Sequence, residues 1–398
     1  MILRIARRAA SRLRSSVERA RDKQQLSTLY APDPNNLTSS EHIAAAIEWL
    51  QRAQDAGTDR GVSYGARFGS DFQESYPETT GYICRTFVQR AQANGDRSLL
   101  DRAIEMGNWE SDVQLPEGAV MAGKLNHNPS PAIFNTGIVM LGWNSLIRSV
   151  GGERFRTSCE RAANWLISMQ EPDGNWIQGN SPYAAPGSTV YNVNAAWGLC
   201  EAGQVLEEPK YIQAAIRNAE FCLSRQQPNG AFRDCCLSDP ERPLVHTLAY
   251  TMHGLIEIGK LTGRRDFIDA ASKTADALIR IMADDGFIAG RQDAAFSPAA
   301  SWSCLTGSAQ TSVVWGELFL LTGDTQYRDA MKRINRYLMR RHDIRNPDPR
   351  LRGGVPGCWP PWGDYGRLTV LNWAAKFLVD ALTLEERIQA AAGIGHRP

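Results

Sequence analysis

A seven-residue phrase recurs along this chain at a fixed interval. Its best copy is Gln-Glu-Pro-Asp-Gly-Asn-Trp at residues 170–176, and further copies contain Gly118, Gly230 and, in weaker form, Gly286. Together with Gly174, these glycines are spaced 56 residues apart each time. A fixed period of this size is the signature of a repeat architecture. Each glycine follows a helix-like run and occupies a turn in which a positive φ ends the helix. The phrase therefore predicts the end of one helix in every repeat.

Apolar residues recur at intervals of three and four from residue 41 onward, which is typical of amphipathic helices. No stretch shows the sustained period of two that indicates a strand. The predicted helices are 41–54, 77–94, 98–113, 132–150, 154–170, 189–205, 209–226, 244–261, 265–282, 303–321, 325–341 and 369–384. Two helices per repeat give six helical hairpins. We therefore predict an all-α protein, an (α/α)6 toroid of 12 helices over residues 41–385.

The two ends of the chain differ from this region. Residues 1–23 contain eight arginine or lysine residues and two acidic residues, with apolar residues between them. We predict a basic amphipathic N-terminal helix over 1–25, which is either solvated or lies on an anionic membrane surface. A linker over 26–40 and a C-terminal tail over 386–398 complete the predicted organisation.

Composition excludes several classes of protein. A net charge of +1 over 398 residues gives no sign of a nucleic-acid partner. No apolar run approaches the ~18 residues that a membrane-spanning helix needs. The eight cysteines form no Cys-Xaa-Xaa-Cys pair, so they indicate neither a disulfide scaffold nor a zinc site. We therefore expect a cytoplasmic protein without metal or cofactor. If residues 1–23 bind lipid, the protein is attached peripherally to the inner membrane.

The predicted connections between helices alternate between tight turns and long loops. The long loops cover about 114–131, 171–188, 227–243, 283–302 and 342–368. Long loops in a compact domain usually serve binding or catalysis. Because each long loop leads into the second helix of the alternation, all of them emerge at one end of the ring. We predict a ligand-binding mouth at that end, surrounded by the N-termini of the six inner helices.

Polar and aromatic side chains stand at these inner-helix starts and in the loops beside them. Converging helix dipoles and unpaired backbone N–H groups favour an anionic or hydroxyl-rich ligand, so we predict a saccharide as the partner. For Asn135 and Asn192, an ordinary helix cap is the alternative. The predicted substrate-binding residues are Tyr76, Asn135, Tyr191, Arg291, Trp302, Arg352, Trp359, Trp362, Tyr365 and Asn372.

Three hypotheses remain open for the action of this mouth on an acidic, uronate-containing saccharide. A glycoside hydrolase needs two carboxyl groups about 5 to 9.5 Å apart, for which Glu78 and Asp293 are the candidates. A lyase or epimerase needs a base that removes the proton next to the uronate carboxylate. His246, Tyr250 and Asn192 fit that chemistry, and we favour it, with His246 as the base and a smaller role for Glu78. The third hypothesis is a non-catalytic glycan-binding scaffold.

The sequence resembles two groups of proteins. The Gln-Xaa3-Gly-Xaa-Trp phrase resembles the QW repeat of terpene cyclases and protein prenyltransferases. This likeness implies the toroidal fold only, because the Asp-Xaa-Asp-Asp motif of such cyclases is absent. The segments that begin at Tyr76, Phe134, His246, Ser301 and Asn372 are similar to a bacterial family of six-hairpin-glycosidase-like proteins associated with exopolysaccharide biosynthesis. That resemblance implies a role in bacterial polysaccharide metabolism without supplying a reaction.

Overall fold

Twelve α-helices alternate between an outer and an inner ring in the computed structural model, which describes residue 26 and residues 28–32, 38–125 and 129–394. The outer helices are α1 (Ser39–Asp55), α3 (Arg97–Val113), α5 (Glu153–Ser168), α7 (Pro209–Ser224), α9 (Arg265–Ile281) and α11 (Thr325–Met339). The inner helices are α2 (Pro77–Asn94), α4 (Ile133–Val150), α6 (Val193–Val205), α8 (Val245–Thr262), α10 (Leu305–Thr322) and α12 (Asn372–Ile394). The predicted all-α ring of six hairpins is confirmed.

The inner helices pack against one another almost backbone to backbone. A Cβ atom on Gly198 of α6 would lie 1.9 Å from the carbonyl oxygen of Gly137 of α4. A Cβ on Gly254 of α8 would lie 2.5 Å from the carbonyl oxygen of Val193. Only glycine permits such an approach. The inner ring is therefore narrow, and the polar faces of its helices converge on a central axis.

The repeated phrase joins each hairpin to the next. Gln114, Gln170 and Gln226 each donate from Nε2 to a backbone carbonyl 44 residues ahead, in the next outer helix, at 2.9, 2.9 and 2.7 Å. The glycine of the phrase has a positive φ, as predicted, and it touches the same helix. At Gly174, φ is 89° and a Cβ would lie 2.3 Å from the carbonyl oxygen of Arg217. The phrase thus ends one helix and also fixes the position of the next hairpin.

The ring closes between its first and last hairpins. Helix α12 packs against α1 and α2, and Thr86 donates to Asp380 Oδ1 at 2.9 Å. Four short strands add to the closure: β1 (Gly65–Arg67), β2 (Ser303–Cys304), β3 (Cys358–Trp359) and β4 (Thr369–Leu371). β1 pairs antiparallel with β4, and β2 with β3. The predicted contact between the last helix and α2 is confirmed, and each sheet has only two short strands, as expected.

The segments that flank the ring differ in part from the prediction. Helix α12 continues to Ile394, so residues 386–394 of the predicted tail are helical. Tyr30, which the sequence places in a linker, is buried in the core. Its hydroxyl donates to the carbonyl oxygen of Gly354 at 2.8 Å and accepts from the backbone N–H of Asp343 at 2.9 Å, and its ring stacks on Phe68. The predicted basic helix over 1–25 lies outside the described residues, and none of the described helices is long and apolar enough to cross a bilayer.

Candidate active site

A cavity of about 600 Å³ opens at the end of the ring where the long loops emerge, at the place that the alternation of connections predicts. Its walls combine aromatic side chains with charged and polar groups. The aromatic lining residues are Tyr64, Tyr76, Phe134, Tyr183, Tyr191, Tyr250, Tyr365 and Trp373. The polar and charged lining residues include Arg67, Asp71, Gln73, Glu78, Lys124, Asn135, His246 and Arg367.

Glu78 is the carboxyl group at the base of this cavity. It lies in the first turn of α2, and the Tyr76 hydroxyl donates to its Oε2 at 2.7 Å. Burial raises the pKa of Glu78 to about 7, although the hydrogen bond from Tyr76 acts in the opposite direction. A carboxyl group with this pKa is partly protonated at neutral pH. Glu78 can therefore both accept and donate a proton.

His246 and Tyr250 lie one turn apart on α8 and line the same cavity, with ring centroids 4.1 Å apart. Burial lowers the pKa of His246 to about 3, so the ring is neutral at pH 7. Among the described residues, His246 Nδ1 has no hydrogen-bond partner. An imidazole whose conjugate acid has so low a pKa is a weak base, which makes Glu78 the better matched proton carrier.

Positive charge without a neutralising partner stands at the rim. Arg67 on β1 and Arg367 just before β4 both line the cavity, and neither forms an ion pair within the part of the chain that the structure describes. Lys124, in contrast, is engaged by Gln73 at 2.9 Å and by Glu74 at 3.3 Å. Two unpaired guanidinium groups favour a ligand that carries a carboxylate or another oxyanion.

The structure brings seven of the predicted site residues into this cavity: Tyr76, Glu78, Asn135, Tyr191, His246, Tyr250 and Tyr365. Asp293 is not among them. It lines a separate surface cleft, where its carboxylate accepts the backbone N–H groups of Ala295 and Ser297, each at 2.8 Å. The other carboxylate in the lining of the cavity is Asp71, which Arg350 holds at 2.7 Å. The predicted Glu78–Asp293 pair is therefore not assembled.

Of three further predicted residues outside the cavity lining, two hold the framework of the mouth. Arg291 is buried and donates to the Arg242 carbonyl oxygen and to Ser238 Oγ, both at 2.9 Å, so it ties two loops together. Asn372 Nδ2 donates to the carbonyl oxygen of Ser63 at 2.8 Å. Asn192 is fully buried outside the cavity lining, and its side chain has no hydrogen-bond partner within the described ranges.

Three predicted tryptophans pack against neighbouring loops or face solvent instead of lining the cavity. The Trp302 ring lies close over Gly290 and Gly363, where Cβ atoms would come within 2.2 and 2.7 Å of it. The Trp359 ring lies 6.5 Å from that of Tyr30, and Trp362 is 44% exposed. Arg352 is exposed, and its carbonyl oxygen accepts from Arg52. These four predicted ligand contacts lie outside the cavity lining.

Several lining residues are missing from the sequence prediction. Tyr64, Asp71 and Gln73 belong to the connection before α2, which was not recognised as a sixth long loop. A signal for it exists, because the 56-residue period extended back from Gly118 reaches position 62, beside Gly61. Among the described residues, no group of three or more histidine, cysteine or acidic residues is arranged to hold a metal ion.

No family model matches the sequence. Lanosterol synthase erg7A of Aspergillus fumigatus is 28% identical over 231 residues, which cover 54% of this chain. The match spans about a quarter (27%) of that relative's length. This partial similarity leaves the likeness to terpene cyclases weakly supported.

Solved structures give a similarity over most of the chain. An unsaturated glucuronyl hydrolase specific for heparin matches with a TM-score of 0.71 and 15% identity, over 88% of this chain and 98% of its own. Cellobiose 2-epimerase of Bacillus thermoamylovorans matches with a TM-score of 0.70 and 10% identity, over 86% of this chain and 97% of its own. A D-mannose isomerase matches with a TM-score of 0.68 and 12% identity, over 90% of this chain and 100% of its own. The chain therefore has the six-hairpin, glycosidase-like (α/α)6 toroid fold of these hydrolases, epimerases and isomerases.

Proposed function

We propose that this chain is an enzyme that moves a proton on an acidic saccharide bound in the mouth cavity, in a lyase or epimerase reaction. The observation that carries the proposal is Glu78, a carboxyl group whose pKa burial raises to about 7. It lies in a cavity that Arg67 and Arg367 make positive. The saccharide class is supported by the solved neighbours, which are named as glucuronyl hydrolase, cellobiose epimerase and mannose isomerase.

Each residue of the cavity has a distinct role in this proposal. The two rim arginines bind the uronate carboxylate, which makes the proton on the adjacent carbon more acidic. Glu78 in its carboxylate form removes that proton. In a lyase reaction a C4–C5 double bond then forms, the bond from C4 to the glycosidic oxygen breaks, and the acid form of Glu78 gives its proton to that oxygen. In an epimerase reaction Glu78 keeps the proton that it removed, and the Tyr250 hydroxyl gives a proton to the opposite face of the carbon. The neutral His246 and the Tyr250 hydroxyl offer hydrogen bonds to the oxygen that gains charge. Glu78 thus takes the place that we assigned to His246 from the sequence, because the pKa of Glu78 is matched to neutral pH and that of His246 is not.

Hydrolysis of an unsaturated uronyl group is the second candidate. Such a group is an enol ether, and protonation of its carbon atom needs one acid rather than a pair of carboxylates. Glu78 alone could supply that proton, and several solved neighbours are unsaturated glucuronyl hydrolases. Hydrolysis by a carboxylate pair is less well supported, because Asp293 lies in another cleft. A role in polysaccharide biosynthesis remains a proposal from the sequence resemblance.

One assay distinguishes these reactions. Purified full-length protein is incubated with uronate polymers and with unsaturated uronyl disaccharides, and the absorbance of the unsaturated uronyl group and the NMR spectrum of the sugars are followed. We expect either a rise in absorbance, which identifies a lyase, or a change in the C5 proton signals at constant absorbance, which identifies an epimerase. A fall in absorbance with the disaccharides favours the hydrolase. Saturable binding without any product would contradict an enzymatic function and indicate the scaffold.

We further propose a cytoplasmic location with peripheral attachment to an anionic membrane through residues 1–23. Full-length protein is expected to bind vesicles containing anionic lipid at low salt and to lose this binding when residues 1–24 are deleted. The deletion must stop before Leu26 and Tyr30, because both pack against the core. The melting temperature should therefore stay nearly constant. Cosedimentation with anionic and neutral vesicles measures the binding. If full-length protein does not bind anionic vesicles, the proposed membrane attachment is wrong.

A further inference from the structure

A second cavity, of about 590 Å³, lies at the opposite end of the ring, where the inner helices end. We call it the far cavity and define it by Arg85, Arg90, His253, Lys260, Lys376 and Arg387, with the side chains around them. Helix α8 connects it to the mouth, since His246 and Tyr250 line the mouth and His253 and Glu257, on the same helix face, line the far cavity. One face of α8 therefore presents polar side chains to both cavities.

The acidic residues that line the far cavity are already paired. Glu257 and Glu317 both accept from Lys260 Nζ, at 2.9 and 2.8 Å. Asp380 accepts from Lys376 Nζ at 2.7 Å. Both lysines are therefore neutralised, and every carboxylate in the lining is paired with a cation. An entering cation would therefore find no unpaired carboxylate.

Two cations of the far cavity form no ion pair in the described part of the chain, and of these Arg90 lies near enough to Glu386 to interact with its charge. Arg90 donates from Nη1 to Thr383 Oγ1 at 3.2 Å, and its buried Nε has no acceptor. Arg387, one turn beyond Thr383 on α12, forms no ion pair there and is exposed at the edge of the cavity. Arginines placed where helices end also interact well with the helix dipoles, so their position alone does not indicate a ligand.

His253 provides the independent observation. It is 7% exposed and lines the far cavity, and its Nδ1 atom has no hydrogen-bond partner among the described residues. Burial, and then the charges of Lys376, Lys260 and Arg85, lower its pKa well below the ordinary value, so the ring is neutral. His253 Nε2 lies 3.9 Å from Glu257 Oε1, and in the tautomer that carries its proton on Nδ1 the ring has a buried donor without an acceptor. A buried donor without an acceptor is costly, and a bound oxyanion would remove that cost.

We propose that the far cavity binds a small dianionic oxyanion, a phosphate or a dicarboxylate, through Arg90 and Arg387, with His253 as a hydrogen-bond donor. Arginine binds such groups through paired, charge-assisted hydrogen bonds. The site is separate from the proposed saccharide cavity and does not depend on the reaction there. A ligand at this end would contact α2, α8 and α12, three of the helices whose opposite ends line the mouth.

Isothermal titration of the full-length protein at low ionic strength, with inorganic phosphate and separately with malonate, tests the proposal. The wild type is expected to bind at least one of the two in saturable fashion, and the comparison tells phosphate from dicarboxylate. The double variant Arg90→Gln/Arg387→Gln should bind about tenfold more weakly or not at all, since hydrogen bonds to charged groups are strong. The comparison variant is Arg67→Gln/Arg367→Gln, which removes the two mouth cations that also favour oxyanions. It should keep the binding event of the far cavity and lose any second event at the mouth.

A third variant, His253→Gln, keeps the proposal testable if the double variant fails to fold, and it should also weaken binding. Circular dichroism melting curves establish that each variant is folded. The proposal is overturned if neither anion binds in saturable fashion, if the far-cavity variants bind as tightly as the wild type, or if only the mouth control loses affinity. Because no saccharide is used, the result is independent of the activity proposed for the mouth.

Discussion

Replacing Glu78 by glutamine should lower turnover of the acidic saccharide by about 10² to 10⁴, the usual contribution of a positioned acid–base group. Glutamine keeps the size of the side chain and can still bond to the Tyr76 hydroxyl, but it cannot exchange a proton. Initial rates with the substrate identified above measure the effect. In the wild type, kcat/KM should change through pH about 7, where Glu78 titrates. The glutamine variant should lack that transition.

The matched control is Asp293→Asn, which removes a carboxylate that lies in a separate cleft and should keep near-normal turnover. If Asp293→Asn abolishes activity and Glu78→Gln is tolerated, the carboxylate-pair hydrolase replaces our proposal.

The free energy of unfolding of the Glu78→Gln variant, compared with that of the wild type, tests the raised pKa independently of activity. The folded-state pKa of Glu78 is raised, so the stability associated with its protonated form is lost as pH rises through about 7. At pH 8 the glutamine variant should therefore be more stable than the wild type, by about 1 to 2 kcal/mol for this half-buried group.

Replacing Trp176 by alanine should lower the free energy of unfolding by about 3 to 5 kcal/mol. Trp176 ends the best copy of the repeated phrase and is completely buried. Its Nε1 donates to the carbonyl oxygen of Leu166 at 2.9 Å, so the substitution creates a large cavity and leaves that carbonyl without its partner. Urea unfolding followed by far-UV circular dichroism gives the free energy.

Ile177 offers a control at the adjacent position, because its side chain is 64% exposed. Ile177→Ala should change the free energy of unfolding by no more than about 0.5 kcal/mol. Equal effects of the two substitutions would contradict the conclusion that Trp176 is an essential part of the core. A loss of stability in Trp176→Ala with a normal mouth reaction at low temperature would separate the role of the phrase in folding from catalysis.

The ring could be predicted from the sequence because its signals are local or periodic. Helix periodicity, turn glycines and the 56-residue repeat each depend on neighbouring residues or on a constant spacing. The same reasoning located the mouth residues that stand at helix starts, such as Tyr76, Glu78, His246 and Tyr250. Their positions follow once the inner helices are assigned.

Loop residues could not be placed in the same way. Whether Arg291 or Arg367 faces the mouth depends on how two loops fold over each other, and tertiary contacts decide it: Arg291 is tied to Arg242 and Ser238, while Arg367 lines the cavity. Burial was equally hidden from the sequence. It lowers the pKa of His246 and raises that of Glu78, which is why we propose Glu78 rather than His246 as the base.

The β1–β4 ladder is the seam at which the first hairpin meets the last, and the two rim arginines belong to it. Arg67 is the last residue of β1, and Arg367 lies two residues before β4. An anion that contacts both arginines would bridge the first and last hairpins, and this bridge would be lost when the anion leaves. Occupied protein should then resist opening at the seam, so substrate binding and the mechanical integrity of the ring depend on the same contact. A closed ring of this kind can sense its ligand without any moving lid.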